Sequence, residues 1–250
     1  MMIETEPSLQ RELSQDGVLT LSLNRPRKLN AITAELAADL WRALEHADAD
    51  VAVKAVLLRG EGRAFCAGRD VGAPPSEAEL DGVQSVARAI VGCRKPVVAA
   101  VHGWVVGAGL EWMLDADIVI TARGARFRLP EASLGVFVTG GLVATLPAAA
   151  GLARAKALIL LGEEFSAEQA LAWGLVWKVV EDNELGAVSR DIAARLAGLD
   201  ADVVARYKRV LKEIGLASFE EAVRHESANQ RDLAHRLITP HLAGHGKRSG

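Results

Sequence analysis

Cysteine is scarce in this chain: Cys66 and Cys93 are the only two among 250 residues. One bridge is the most they could form, so a disulfide framework is excluded and two reduced thiols are the expectation. Long apolar runs are missing as well, and none approaches the roughly 20 residues that a membrane-spanning helix requires. An excess of positive charge is also lacking. With 29 Lys and Arg against 32 Asp and Glu, the formal net charge is −3, which leaves no basic footprint for nucleic acid or an anionic membrane surface. The opening "MMIETEPSLQRELSQDG" has no charged-then-apolar layout, so no secretory leader is expected and a cytoplasmic location is. Fixed-period repeats and low-complexity linkers are absent too. What remains is 50% hydrophobic and 24% charged, the composition of a well-buried globule of one large α/β domain or two small ones.

The first half is rich in strand signals. "VLTLSLNRP" alternates, with Leu19, Leu21 and Leu23 expected on one face, while "VKAVLLRG" and "KPVVAAVHG" read as buried strands. Between them, "ITAELAADLWRALEHAD" repeats at helical spacing through Leu36, Leu40, Trp41 and Leu44, with Thr33 as N-cap. "GAPPSEAELDG" is expected to be a mobile loop, from which the capping-box pair Ser76 and Glu79 starts a helix to about Val91. A helix opens over Gly107 to Leu114, and "ADIVITAR" and "ARFRLP" return to strand. After Glu131 helices dominate, with Ser166 and Gln169 forming a second capping box. Further helices are expected at 184–198 and 203–214, and from Ser218 through about Leu237. The division expected is a core over 1–190 and a helical region over 191–250. The run Leu158 to Leu161 is apolar on all sides, which suits a buried helix or one covered by another subunit.

Three stretches carry chemistry. In "HGWVVGAGLEW" the glycines Gly103, Gly107 and Gly109 do not fit the spacing of a dinucleotide fingerprint, and no P-loop lysine follows. Two readings stay open. Small residues permit close strand-to-helix packing, or backbone amides at the helix start form a hole for a developing negative oxygen. In "AFCAGRDV" the small pair Ala67 and Gly68 follows a strand, and Cys66 lacks the context of a catalytic nucleophile, so a buried thiol is expected. In "FRLPEASLG" Pro130 ends a strand and leaves Glu131 at a turn. Beside apolar residues such a carboxylate is either a general acid/base with a raised pKa or a solvated loop glutamate.

Taken together, these stretches resemble the enoyl-CoA hydratase/isomerase, or crotonase, superfamily. The likeness runs from "LTLSLNRPRKLNAIT" through "AVLLRGEGRAFCAGRDV", "KPVVAAVHGWVVGAGLEWMLDADIVI" and "ARFRLPEASLGV" to "LARAKALILLGEEFSAEQALAWGLVWKVV". The resemblance implies an α/β spiral of ββα turns, with C-terminal helices that build trimers, often paired as hexamers. It implies an acyl-CoA thioester as substrate, coenzyme A being part of that substrate, with no separate cofactor and no metal. The amides of Arg69 and Ala108 match the oxyanion hole, and Glu111 and Glu131 match the two glutamates that handle water. Lys28 matches the region that meets the CoA phosphates, and Ala67 and Asp70 the backbone near the adenine end, while Gly68 and Gly107 adjoin the two amides.

The chain departs from common relatives in places. "HRLITPHLAGHGKRSG" lacks the usual closing motif, "GVFVTGG" replaces a more glycine-rich turn, and Phe137 is expected to line the acyl pocket. The Arg69 side chain has a phosphate within its expected reach, and Trp173 and Trp177 suit core or interface. Because both glutamates are present, hydration of a 2-enoyl-CoA is the expected reaction. The alternatives are Δ3-Δ2 isomerisation, another crotonase-type lyase or hydrolase reaction, or non-catalytic acyl-CoA binding.

Overall fold

The computed structural model describes residues 7–70 and 76–238, with only the backbone for 235–238. The tip of the expected mobile loop (71–75) and the divergent C-terminus beyond residue 238 lie outside the described residues. The main sheet contains β1 (Leu9–Leu13), β2 (Val18–Leu23), β3 (Ala55–Gly60), β4 (Val97–Val101), β6 (Ile118–Ala122) and β9 (Lys178–Val180), in the order β1-β2-β3-β4-β6-β9. All neighbours are parallel except β1 and β2. A smaller sheet holds β5 (Trp104–Val106), β7 (Arg126–Arg128) and β8 (Phe165–Ser166).

The chain winds as a spiral because the central main-sheet strands are each followed by a strand or bridge of the second layer and then by a helix. After β4 come β5 and α3 (Ala108–Asp115), and after β6 come β7 and α4 (Glu131–Leu134). After β3 the second-layer strand shrinks to a bridge from Cys66 to Val105, followed by α2 (Glu77–Gly92). The uninterrupted apolar run in β3 reflects helices on both faces of a parallel sheet. Val56 and Leu58 face the central core with α1 (Ala34–Ala49), whereas Ala55 and Leu57 join Leu185 and Ala193 of α8 (Leu185–Ala197). Residue 190, the expected divide, falls inside α8, a helix that packs on the sheet.

The expected caps are present. Thr33 accepts the Leu36 N–H, Ser76 and Glu79 exchange bonds at the head of α2, and Ser166 and Gln169 do so at α7 (Ala167–Ala172). Leu21 and Leu23 are buried and Leu19 packs against the same core. Trp41 corrects the expected apolar stripe of α1, since it points outward at 41% exposure beside buried Leu40 and Leu44. One turn of 100° moves a neighbour off the buried face. The turn expected at Glu131 is the first residue of α4.

The later helices are α5 (Leu142–Ala150), α6 (Leu152–Leu161), α9 (Ala201–Gly215) and α10 (Phe219–Ile238). In α6 Leu158 is buried, but Leu160 and Leu161 are 70% and 65% exposed in the single chain. Trp173 packs at a tilt against Phe165 and lies under Arg154, whereas Trp177 is exposed. Among the described residues, no helix is long and apolar enough to cross a membrane.

Candidate active site

Two backbone turns meet at the C-terminal end of the small sheet. The stretch after β3 is held as an extra strand: Cys66 N–H donates to Trp104 O, Val106 N–H to Cys66 O, and Ile32 N–H to Gly68 O. Gly68 lies at φ +81°, and a Cβ there would sit 2.8 Å from Val106 O and 3.7 Å from Ala108 N. That close approach sets the Arg69 amide next to the start of α3. Ala108 opens α3, and the first N–H groups of a helix have no acceptor within it. Both residues line a cavity of about 280 Å³, together with Ala67, Gly68, Gly107, Glu111, Glu131 and Phe137. Residues from two such backbone turns lining one cavity are the setting in which amides could stabilise a developing oxyanion.

The glycines of "GAGLE" have distinct tasks. Gly109 packs against Cys66, where a Cβ would come within 2.8 Å of Sγ, so the close-packing reading holds there. Cys66 donates its thiol to Asn30 O and is pushed up to about 12 by burial, as an inert core thiol is. Gly107 lies at φ +53°, and a Cβ on it would collide with Glu131 Oε1. The glycine therefore leaves room for a carboxylate beside the first amides of α3.

Glu111 and Glu131 are both buried, at 1% and 9% exposure. The Glu111 carboxylate accepts the Thr139 N–H at 3.2 Å, the Gly140 N–H at 2.5 Å and the Thr139 hydroxyl at 3.3 Å. Glu131 Oε2 has no partner. Burial raises Glu131 to about 7. Glu111 is pushed well above the ordinary carboxylate range by burial, then by the charges of Glu131 and Glu226, against the pull of the Thr139 and Gly140 amides. Two such groups titrate as a pair. The donors aimed at Glu111 favour charge there, and the bare Oε2 of Glu131 favours the proton. Two buried carboxyls, both raised above the ordinary range, thus face the same cavity.

Two further carboxyls surround Glu111. Glu226 of α10 is fully buried, accepts the Gly141 and Val143 N–H groups at 2.6 and 2.9 Å, and is raised to about 7 by burial. Asp115 lies one turn beyond Glu111 on α3, and both its oxygens are buried without a partner. Burial, Glu111 and Glu226 push it well above the ordinary range. Among the described residues no three His, Cys, Asp or Glu groups are arranged to hold a metal ion.

Lys28 and Asp70 are not lining residues of the cavity. Lys28 is exposed on the 3-10 turn Pro26–Lys28, whose neighbour Leu29 accepts the Ala67 N–H. Asp70 pairs with Arg25 at 3.1 Å. The Arg69 guanidinium lies 3.7 Å from Glu79 at the head of α2. Thr139, Glu226 and Gln230 escaped the sequence reading. The buried face of α10 runs Phe219, Ala222, Val223, Glu226, Ser227, Gln230, and polar residues at helical spacing within an apolar stripe were the signal for the last of these.

Comparison with known proteins places the chain in a family. A family model described as enoyl-CoA hydratase/isomerase matches residues 14–239. The 1,2-epoxyphenylacetyl-CoA isomerase of Escherichia coli K12 is 40% identical over 193 residues, covering 73% of this chain and 74% of that protein. A probable peroxisomal enoyl-CoA hydratase of Arabidopsis thaliana is 32% identical, covering 84% and 80%. The crystal structure of an enoyl-CoA hydratase from Mycobacterium avium subsp. paratuberculosis superposes with a TM-score of 0.87 at 33% identity, covering 93% and 91% of the two chains. The chain belongs to the enoyl-CoA hydratase/isomerase family, with the spiral fold of the crotonase superfamily.

Proposed function

We propose that the protein is an enzyme of acyl-CoA thioesters and that its reaction is the syn addition of water to a 2-enoyl-CoA. The observation that carries this reading is the pair of buried carboxylates, Glu111 and Glu131, facing one cavity beside the Arg69 and Ala108 amides. Addition at Cβ places negative charge on the thioester oxygen, and two aimed amides lower the energy of that state, each worth about 3–4 kcal/mol. Glu111 takes a proton from water as the water oxygen bonds to Cβ. Glu131 delivers its proton to Cα, and the enolate collapses to the 3-hydroxyacyl thioester. The Thr139 and Gly140 donors support the ionised Glu111, and burial supports the protonated Glu131.

Δ3-Δ2 isomerisation is the second reading; the relative at 40% identity is named an isomerase, though of 1,2-epoxyphenylacetyl-CoA. It needs only one carboxylate to move a proton, whereas binding alone needs neither. Lys28 is assigned to the CoA phosphates, Ala67 and Asp70 to the adenine end, and Gly68, Gly107 and Phe137 to the thioester and acyl pocket. The experiment that separates the reactions is incubation with a panel of 2-enoyl- and 3-enoyl-CoA thioesters, with products resolved as hydrated, isomerised or hydrolysed. Hydrated product from the 2-enoyl series supports the first reading. Isomerised product alone replaces it.

A further inference from the structure

Between α4 and α5 the chain passes through a turn, residues 137–143, whose amides are taken up by side chains. Glu111 accepts those of Thr139 and Gly140 from the cavity side. The other acceptors belong to α10, whose Gln230 also lines the cavity. Gln230 Oε1 accepts the Phe137 N–H at 2.6 Å, and Glu226 spans the head of α5 with Oε2 on Gly141 N–H and Oε1 on Val143 N–H. The Phe219 ring fills the space where a Cβ on Gly141 would lie, so the same helix also sets the turn sterically. Ser227, between the two polar residues, accepts a bond from Gln84 and fastens α10 to α2. Buried amides must find acceptors, and here those not taken by Glu111 of α3 are taken by one face of α10.

We propose that Glu226, with Gln230, is a positioning residue for the reaction. It fixes the 137–143 segment through its amides, so that the Thr139 and Gly140 amides hold the Glu111 carboxylate in place to activate water. The proposal rests on the reading of Glu111 as the water-handling base. A plain helix cap would also place a carboxylate at the head of α5, but a cap acts on stability and not through Glu111. The difference is measurable.

The test has a structural arm and a kinetic arm on the full chain. Glu226→Gln keeps the volume but presents an amide NH2 to one of the two N–H donors. Its crystal structure is expected to show the turn displaced and the Glu111 carboxylate released from Thr139 or Gly140. With the better of crotonyl-CoA and trans-2-octenoyl-CoA as substrate, kcat should fall about 10²-fold, as for a misplaced catalytic group, with KM near that of wild type. In a Glu111→Gln background the same substitution should add little, since it acts through the missing carboxylate. If Glu226→Gln fails to fold, Gln230→Leu removes the Phe137 acceptor, and because Gln230 also lines the cavity, the position of the turn and of Glu111 in its crystal structure decides. An unmoved turn overturns the proposal, and so do losses that multiply fully in the double variant. If Glu111→Gln itself hydrates at the wild-type rate, the hydratase reading fails, and the crystal structure still decides whether Glu226 places Glu111.

Discussion

Gly107 and Glu131 are in close contact: a Cβ on the glycine would clash with Glu131 Oε1, at a backbone φ of +53° that favours glycine. The glycine thus leaves the Glu131 carboxyl room beside the start of α3. Gly107→Ala is expected to push Glu131 aside and lower turnover about 10²-fold, with CoA thioester affinity retained. Steady-state kinetics paired with calorimetric binding of a non-reactive acyl-CoA checks this. Unchanged turnover would show that the contact has no bearing on catalysis.

The pH dependence follows from the same pair. Glu131 must carry its proton to donate it, and burial holds it at about 7. Hydration is therefore expected to weaken as pH rises through about 7, and to fade on the acid side as Glu111 becomes protonated. Glu131→Gln, which has no such titration, should lose the alkaline limb from its residual activity. The pH profile of kcat/KM measures it. A wild-type profile flat from pH 6 to 9 would contradict the assignment.

Asp115 bears on stability. Its two oxygens are buried without partners, and its pKa is raised in the folded chain. A carboxyl whose folded pKa is raised contributes its stabilising share below the unfolded value and loses it as pH climbs toward the folded one. Glu131 and Glu226, both raised to about 7, act in the same direction. The protein should thus be more stable at mildly acidic than at alkaline pH. Asp115→Leu is expected to raise the melting temperature at pH 8, by removing a buried unpaired polar group that costs about 1–3 kcal/mol. Thermal unfolding across pH 5–9 would show it, and a lower melting temperature at pH 8 would mean that Asp115 has a stabilising partner.

The exposed apolar side chains Leu160, Leu161, Trp177, Leu211 and Ile214, each at 65% exposure or more, are more than scattered surface apolar residues require. Self-association as a trimer or a multiple of it is the expectation, and light scattering at micromolar concentration measures it. A stable monomer would remove it.

The parts written into the sequence are those where a local pattern and the tertiary environment agree. The capping pairs Ser76–Glu79 and Ser166–Gln169 needed only their own spacing, and β3 reads as buried because both its faces are covered. The two loops with small residues and the carboxylate after Pro130 were legible through their resemblance to a family. Trp41 misled because an apolar residue next to a buried stripe looks like part of it. Glu226 stayed hidden because its partners, Gly141 and Val143, are backbone amides more than 80 residues away. No spacing within α10 reveals which turn the helix will meet.

The paired carboxylates separate hydration from binding, so the most direct measurement is the rate of 2-enoyl-CoA hydration by Glu131→Gln, with thioester binding measured on the same sample. The substitution keeps volume and shape but removes the transferable proton. Turnover is expected to drop by about 10²–10⁴-fold while the thioester still binds. Hydration at the wild-type rate in this variant would contradict the account.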